Sequence, residues 1–174
     1  AILGFGREGK SILKTLTNTD LTRIYIDNRV EIWVLDRDIN VGSFDLSKLS
    51  GSILVGRTSL KFQTGKNYLK NLEKFDVVFR SPGVPYNLPE IQKAIKNGVK
   101  VSSGTQLFFE QLRGQTRTER GLTQNNNIKI IGITGTKGKG TTSTLLYKIL
   151  KTAGRNVYLA SNIGKPALEI LSKL

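Results

Sequence analysis

The chain contains no cysteine and no histidine among its 174 residues. Their absence excludes disulfides, thiolate metal sites, cysteine nucleophiles and histidine general bases within this sequence. Any catalysis must therefore depend on backbone amides, lysines, hydroxyls, carboxylates or a bound metal. No apolar run approaches the roughly 18 residues that indicate a membrane span, and no signal peptide is visible. We expect a cytoplasmic protein with no membrane partner.

Acidic residues are also scarce, with 13 Asp and Glu against 27 Lys and Arg, which gives a formal net charge of +14. A basic excess of this size often indicates nucleic-acid binding, which needs a clustered basic face with aromatic residues beside it. Here the basic residues are dispersed along the chain, from Lys10 to Lys151. Dispersal favours a solvated surface, or a general attraction for phosphorylated ligands, so we expect no nucleic-acid partner.

Short β-branched runs alternate with longer amphipathic stretches, a pattern typical of a parallel sheet with crossover helices. The predicted strands cover residues 1–3, 31–35, 52–55, 76–80, 100–101, 128–133 and 156–159. The predicted helices cover residues 8–16, 66–74, 89–97, 105–112, 139–153 and 166–174. The predicted fold class is therefore α/β.

The stretch RGQTRTERGLTQNNN, residues 113–127, interrupts this alternation because it holds almost no apolar side chains. A segment of that composition cannot bury enough surface to order itself, so we predict a linker. Residues 1–112 then form a Rossmann-like domain, and residues 128–174 form the truncated start of a P-loop ATPase domain. Because the sequence opens within the apolar AILGFG and stops within the amphipathic ALEILSKL, we expect a longer parent chain.

The stretch GFGREG, residues 4–9, is a complete G-x-G-x-x-G between a predicted strand and a predicted helix. Its glycines permit a tight turn, and the helix start offers free N–H groups and a positive dipole end to an anion. The acidic partner expected after the second strand is Asp36 or Asp27. The motif equally fits a turn that only joins strand to helix. If it binds a ligand, the ligand is NAD, FAD or another nucleotide.

The stretch GITGTKGKGTTST, residues 132–144, follows the apolar run IKII and precedes a long amphipathic pattern. This context indicates a phosphate-binding loop, in which backbone amides cradle an anion and Lys139 reaches the outer phosphates. Two positions depart from the Walker pattern. Ile133 replaces its first glycine, and Gly140 replaces the hydroxyl residue that binds Mg²⁺. The Mg²⁺ hydroxyl would then come from Thr141 or Thr142.

The loop GTKGKGTT, the earlier SPGVPYNLPEIQKAIKNGVKV and the later SNIGKPAL together resemble the Mur ligase family of peptidoglycan synthesis and cell wall biogenesis. The resemblance implies an ATP-dependent amide-bond ligase that adds D-glutamate to UDP-N-acetylmuramoyl-L-alanine through an acyl phosphate. It also implies a monomer when full length. Three alternatives stay open: a Mur-type ligase for another amino acid, a nicotinamide-dependent oxidoreductase, and a non-catalytic nucleotide-binding module.

The resemblance also implies the site residues. ATP would be held by Gly135, Thr136, Lys137, Gly138, Lys139, Gly140, Thr141 and Thr142, with Lys139 and Thr141 catalytic and Thr141 and Thr142 at the metal. The UDP substrate would be bound by Gly6, Arg7, Glu8, Asp36, Arg37, Ser81, Gly83 and Asn162. Further catalytic groups of the family lie beyond Leu174, so we expect no ligation by this chain alone.

Four residues depart from the family pattern. Glu8 replaces a hydroxyl, Lys137 replaces Asn or His, and Gln106 replaces Glu. Gly140 is the form found in the related folylpolyglutamate synthases, which lack the UDP-binding first domain. A carboxylate at residue 8 is unfavourable near a diphosphate unless it faces away or pairs with Arg7.

Overall fold

Five parallel strands form the sheet of this chain in a computed structural model that describes residues 1–17, 30–44, 58–114, 117–118, 121–122, 128–160 and 165–174. The strands are β1 (Ile2–Leu3), β2 (Val30–Asp36), β3 (Thr58–Thr64), β4 (Val77–Arg80) and β5 (Lys100–Ser102). Their order in the sheet is β3-β2-β1-β4-β5. In the centre, Ile2 of β1 lies opposite Val34 of β2 and Phe79 of β4.

Four α-helices of the described residues accompany the sheet: α1 (Arg7–Thr17), α2 (Pro89–Lys96), α3 (Gly104–Gly114) and α4 (Lys139–Thr152). The same part of the chain contains 3-10 helices at Ile39–Ser43, Gly65–Asn67, Leu72–Lys74 and Ala167–Lys173. Within the predicted linker, β6 (Arg117–Thr118) and β7 (Gly121–Leu122) form a short antiparallel pair. Among the described residues, no helix is both long and apolar enough to cross a membrane.

Helices cover both faces of the sheet, because successive side chains of a strand point to opposite faces. Ile2 packs with Ile12 of α1 and Leu107 of α3, whereas Leu3 packs with Leu35 and with Ile91 of α2. These six side chains are fully buried, and each such burial stabilises the fold by roughly 1.5–3 kcal/mol. A parallel sheet covered on both sides confirms the predicted Rossmann-like α/β class for the first part of the chain.

The segment near the end of the chain packs on this same sheet domain. Leu168 and Leu171 of the 3-10 helix Ala167–Lys173 are buried in the cluster formed by α1 and α3. The sequence predicts an α-helix at 166–174 within a second domain, so the helix type differs from the prediction. The division into residues 1–112, a linker and residues 128–174 stays a prediction.

The predicted strands at 128–133 and 156–159 are wrong, because neither range is a strand in the structure. Ile130 and Ile131 are more than half exposed, at 52% and 60%. A strand needs neighbours that take up its N–H and C=O groups, and the described residues provide none to this apolar run. The P-loop part of the predicted fold class stays a prediction.

The region between β2 and β4 also differs from the prediction. The predicted strand at 52–55 lies outside the described residues, and β3 at Thr58–Thr64 was not predicted. The predicted helix at 66–74 is replaced by two short 3-10 helices separated by a turn. Asn71, with φ 57°, stops the helical path, and the Gln63 amide takes up backbone carbonyls that an α-helix would use.

Candidate functional site

A cavity of about 690 Å³ opens at the carboxyl edge of the sheet. After β1 the chain passes to β2 on one side, and β4 lies on the other side, so a crevice forms where the strand order reverses. Seven of the eight residues predicted to bind substrate line this cavity: Gly6, Arg7, Glu8, Asp36, Arg37, Ser81 and Gly83. The eighth, Asn162, lies outside the described residues.

Two glycines of the turn between β1 and α1 have different roles. A Cβ atom at Gly9 would lie 2.2 Å from the carbonyl oxygen of Gly4, so only glycine lets α1 approach the strand end this closely. A Cβ atom at Gly6 would meet nothing within 4 Å. Gly9 therefore serves helix–strand packing, whereas Gly6 leaves open space beside the cavity.

Asp36, at the end of β2, stabilises the glycine turn between β1 and α1. One carboxylate oxygen accepts a hydrogen bond from the backbone N–H of Phe5 at 2.5 Å, and the other accepts from the N–H of Asp38 at 2.9 Å. Charge-assisted bonds of this kind are among the strongest in proteins. The carboxylate thus fixes the turn against the loop that carries Arg37.

The SPGV loop after β4 is held by two side chains. The Ser81 hydroxyl donates to the carbonyl oxygen of Gly4 at 2.7 Å, which joins this loop to the glycine turn. The Arg80 guanidinium donates to the carbonyl oxygens of Ser81 and Val84, and it lies 5.7 Å from the centre of the Tyr86 ring. The loop therefore presents Gly83 to the cavity in a fixed conformation.

Glu8 faces the start of α3. A Cβ atom at Gly104 would lie 2.3 Å from a carboxylate oxygen of Glu8, so the side chain lies directly on this glycine. Burial raises the pKa of Glu8 above its usual value. No ion pair joins Glu8 to Arg7 within the described part of the chain. The Glu8 carboxylate thus lies against Gly104, the first residue of α3, in surroundings that disfavour its charged form.

Sequence reasoning missed six side chains that complete the cavity wall: Phe5, Tyr68, Pro82, Val84, Pro85 and Pro166. The prolines and Val84 stand within the motifs SPGVP and IGKP, so their positions carried a signal. Tyr68 was missed because it follows β3, whose alternation of Leu60 and Phe62 with polar residues was the signal that could have placed it.

The predicted ATP-binding residues form one continuous turn that leads into α4, and none of them lines the cavity. Gly138 stands at the N-cap with φ 77°, a conformation that favours glycine. The Lys139 ammonium donates to the carbonyl oxygen of Gly135 at 2.5 Å, so it lies over the turn. An exposed glycine turn, a lysine above it and a helix N-terminus together fit a phosphate group.

Thr141 and Thr142, the predicted metal residues, are exposed in the first turn of α4. Hydroxyl oxygens are ligands that suit Mg²⁺, which retains several waters and also binds substrate phosphates. Among the described residues, no group of three or more His, Cys, Asp or Glu forms a protein metal cage. The residues present therefore fit a metal held mainly by nucleotide phosphates.

The strand order, the glycine turn, the acidic residue after β2 and the cavity at the reversal point define a Rossmann-type ligand-binding domain. Residues 1–103 match the family model described as the N-terminal domain of MurD-like Mur ligases. The chain belongs to this family.

Several relatives carry the name UDP-N-acetylmuramoylalanine–D-glutamate ligase. The chain is 36% identical to that of Acetivibrio thermocellus over 115 residues, which are 66% of this chain and 22% of the relative. It is 31% identical to that of Symbiobacterium thermophilum over 154 residues, 88% of this chain and 30% of the relative. For Ruminiclostridium cellulolyticum the identity is 28% over 170 residues, 97% of this chain and 30% of the relative. The chain thus spans less than a third of these relatives.

Proposed function

We propose that this chain supplies the substrate-binding part of an ATP-dependent ligase that adds D-glutamate to UDP-N-acetylmuramoyl-L-alanine in peptidoglycan precursor synthesis. One observation carries the proposal. Seven residues that the family resemblance assigns to the UDP substrate come from three separate segments, and all of them line one cavity. The names of the relatives support the same reaction.

The cavity suits the diphosphate of such a substrate. Gly6 leaves room for close approach, and the N-terminus of α1 directs free N–H groups and a positive dipole end at an anion. The exposed Arg7 and Arg37 add positive charge at the cavity. Glu8 also lines the cavity, and its carboxylate lies against Gly104.

The loop at Gly135–Thr142 would bind ATP and Mg²⁺. ATP supplies the phosphoryl group that activates the alanyl carboxylate for attack by the amine of D-glutamate. Lys139 and the loop amides would hold and neutralise the phosphates, Lys137 would add a second positive charge, and Thr141 or Thr142 would orient the metal. Residues 128–174, which contain this loop, would form the start of an ATP-binding domain. A cytoplasmic location and a monomeric full-length protein stay predictions.

Calorimetric titration of the chain with UDP-N-acetylmuramoyl-L-alanine tests the proposal. We expect saturable binding of this compound. UDP should compete with it for the site, and NADH should not. NADH is the matched competitor because GFGREG alone equally suits a nicotinamide enzyme. Tighter binding of NADH than of the UDP compound would overturn the proposal. Comparing D-glutamate with other amino acids in a full-length ligase would test the amino acid added.

A further inference from the structure

Tyr68 has no role in the site that the family resemblance implies, yet it forms part of the cavity wall. It follows the short 3-10 helix Gly65–Asn67, which begins at the residue after the end of β3. Because β3 pairs with β2 in parallel, the segment that follows β3 lies at the same edge of the sheet as Asp36. Tyr68 therefore stands on the β3 side of the cavity, away from the turn between β1 and α1.

The segment that carries Tyr68 is fixed by a side chain of β3. The Gln63 amide nitrogen lies 3.1 Å from the carbonyl oxygen of Asn67, 3.1 Å from that of Tyr68 and 2.9 Å from that of Lys70. A single side-chain amide is thus within hydrogen-bonding distance of three carbonyl oxygens of one turn. Since the backbone on both sides of Tyr68 is held this way, the ring has a defined position.

The Tyr68 side chain is half-buried and packs against the cluster that contains Leu35 and Leu72. Its hydroxyl has no hydrogen-bond partner among the described residues. A ring supported by the core and also part of a cavity wall is an aromatic surface that a planar ligand group can pack against. The free hydroxyl is not needed for that contact.

The positions of the charged groups orient a nucleotide in this cavity. The N-terminus of α1 and Gly6 offer the site for a diphosphate, and Asp36 follows at the end of β2. A nucleotide with its diphosphate at the glycine turn then extends across β2 toward β3. In that orientation the base would lie on the β3 side of the cavity, where Tyr68 forms part of the wall.

We propose that Tyr68 is a specificity-determining residue, against whose ring the base of a nucleoside diphosphate packs. The inference rests on the proposed function, in which this cavity holds the UDP part of the substrate. Stacking of a base on an aromatic side chain contributes enough for roughly a tenfold or greater change in affinity when the ring is removed.

Calorimetric titrations with UDP and with inorganic pyrophosphate test the proposal on the 174-residue chain. Tyr68→Leu is expected to weaken UDP binding roughly tenfold or more while leaving pyrophosphate binding unchanged, because pyrophosphate has no base. Tyr68→Phe should keep the affinity for UDP, since it keeps the ring. Tyr147→Leu is the matched control, because Tyr147 is half-buried like Tyr68, lies in α4 and does not line the cavity.

Equal loss of UDP and pyrophosphate affinity in a folded Tyr68→Leu variant would overturn the inference, and so would unchanged UDP affinity. If Tyr68→Leu fails to fold, the wild-type chain still decides the question. Intermolecular nuclear Overhauser effects should then join the Tyr68 ring protons to the base protons H5 and H6 of UDP, and their absence would overturn it. A wild-type chain that binds no UDP would instead refute the proposed substrate site.

Discussion

The Ser81 hydroxyl donates a hydrogen bond to the carbonyl oxygen of Gly4, with 2.7 Å between the two oxygens. This bond joins the end of β4 to the end of β1, the two strands between which the sheet order reverses. Ser81 is only 8% exposed, so the bond is partly shielded from water. The serine of the SPGV motif thus shapes the cavity as well as lining it.

Replacing Ser81 with alanine should lower the free energy of unfolding by about 1 kcal/mol, because the Gly4 carbonyl loses its partner near the core. Urea denaturation of both proteins measures this difference. Ser43→Ala is the control, since the Ser43 hydroxyl donates to the carbonyl oxygen of Asn40 at 2.8 Å in an exposed position. We expect that control to stay within about 0.5 kcal/mol of the wild type. Equal losses in both variants would contradict a special role for the buried bond.

The glycine turn allows a paired test of packing and binding. Gly9→Ala places a methyl group 2.2 Å from the Gly4 carbonyl oxygen and should cost about 1–3 kcal/mol of stability or prevent folding. Gly6→Ala meets no atom within 4 Å, so its cost should stay below about 1 kcal/mol. The added methyl group at residue 6 should nevertheless weaken UDP binding, because it fills space beside the diphosphate position.

Thermal unfolding and UDP titration of the two glycine variants provide the measurements. We expect Gly9→Ala to lose more stability than Gly6→Ala. We expect Gly6→Ala to bind UDP more weakly while the chain stays folded. A Gly6→Ala variant that binds UDP as tightly as the wild type would show that the diphosphate does not approach this turn.

Glu8 should make stability depend on pH. Burial raises its pKa above the ordinary 4.5, so the folded chain binds the proton more tightly than the unfolded chain does. The stabilisation is then fully present below the ordinary pKa and is lost as pH rises through the raised value. Glu8→Gln cannot ionise, so its melting temperature relative to wild type should increase from about pH 4 to about pH 7.

The control for Glu8 is Glu90→Gln, which removes the same charge from an exposed position in the first turn of α2. That variant measures what the loss of one negative charge does at an exposed position. Melting temperatures recorded at several pH values in one buffer series would check both variants. A difference between Glu8→Gln and wild type that stays constant with pH would contradict the effect of burial.

The sequence is sufficient where local pattern and tertiary environment agree. EIWVLD predicts β2 because both faces of this central strand are buried, and the GFGREG turn is predictable from its glycines. β3 was missed although Leu60 and Phe62 alternate with polar residues, a pattern that indicates a strand with one buried face. The helix predicted at 66–74 fails because the side chain of Gln63, next to the end of β3, takes up the carbonyls of the turn that follows.

In the candidate site, too, the sequence is sufficient for some residues and not for others. Residues that follow predicted strands, such as Asp36 and Ser81, lie together at the cavity, since parallel strands bring their ends to one edge, and their role in binding stays a prediction. Tyr68 was missed, because its position depends on β3. The strand predicted at 128–133 failed because an apolar run specifies burial and not the partner that provides it.

Lys139 provides the test of the phosphate loop. Its ammonium lies over the turn and donates to the Gly135 carbonyl oxygen, in a position to exchange that bond for one with a phosphate. Hydrogen bonds to charged groups contribute about 1.5–3 kcal/mol, so Lys139→Ala should weaken binding of ATP with Mg²⁺ roughly tenfold or more.

Calorimetric titration of the chain with ATP and Mg²⁺ measures the effect of Lys139→Ala. Lys148→Ala is the matched control, because Lys148 is an exposed lysine of the same helix, well beyond its first turn. Lys148→Ala removes the same positive charge as Lys139→Ala. Its ATP affinity therefore shows how much of the binding comes from general attraction between the basic chain and the nucleotide. If the two variants bind ATP equally well, the attraction comes from the net charge of the chain and the turn at Gly135 is not a phosphate site. UDP affinity should be unchanged in both variants, because neither lysine lines the cavity at the carboxyl edge of the sheet.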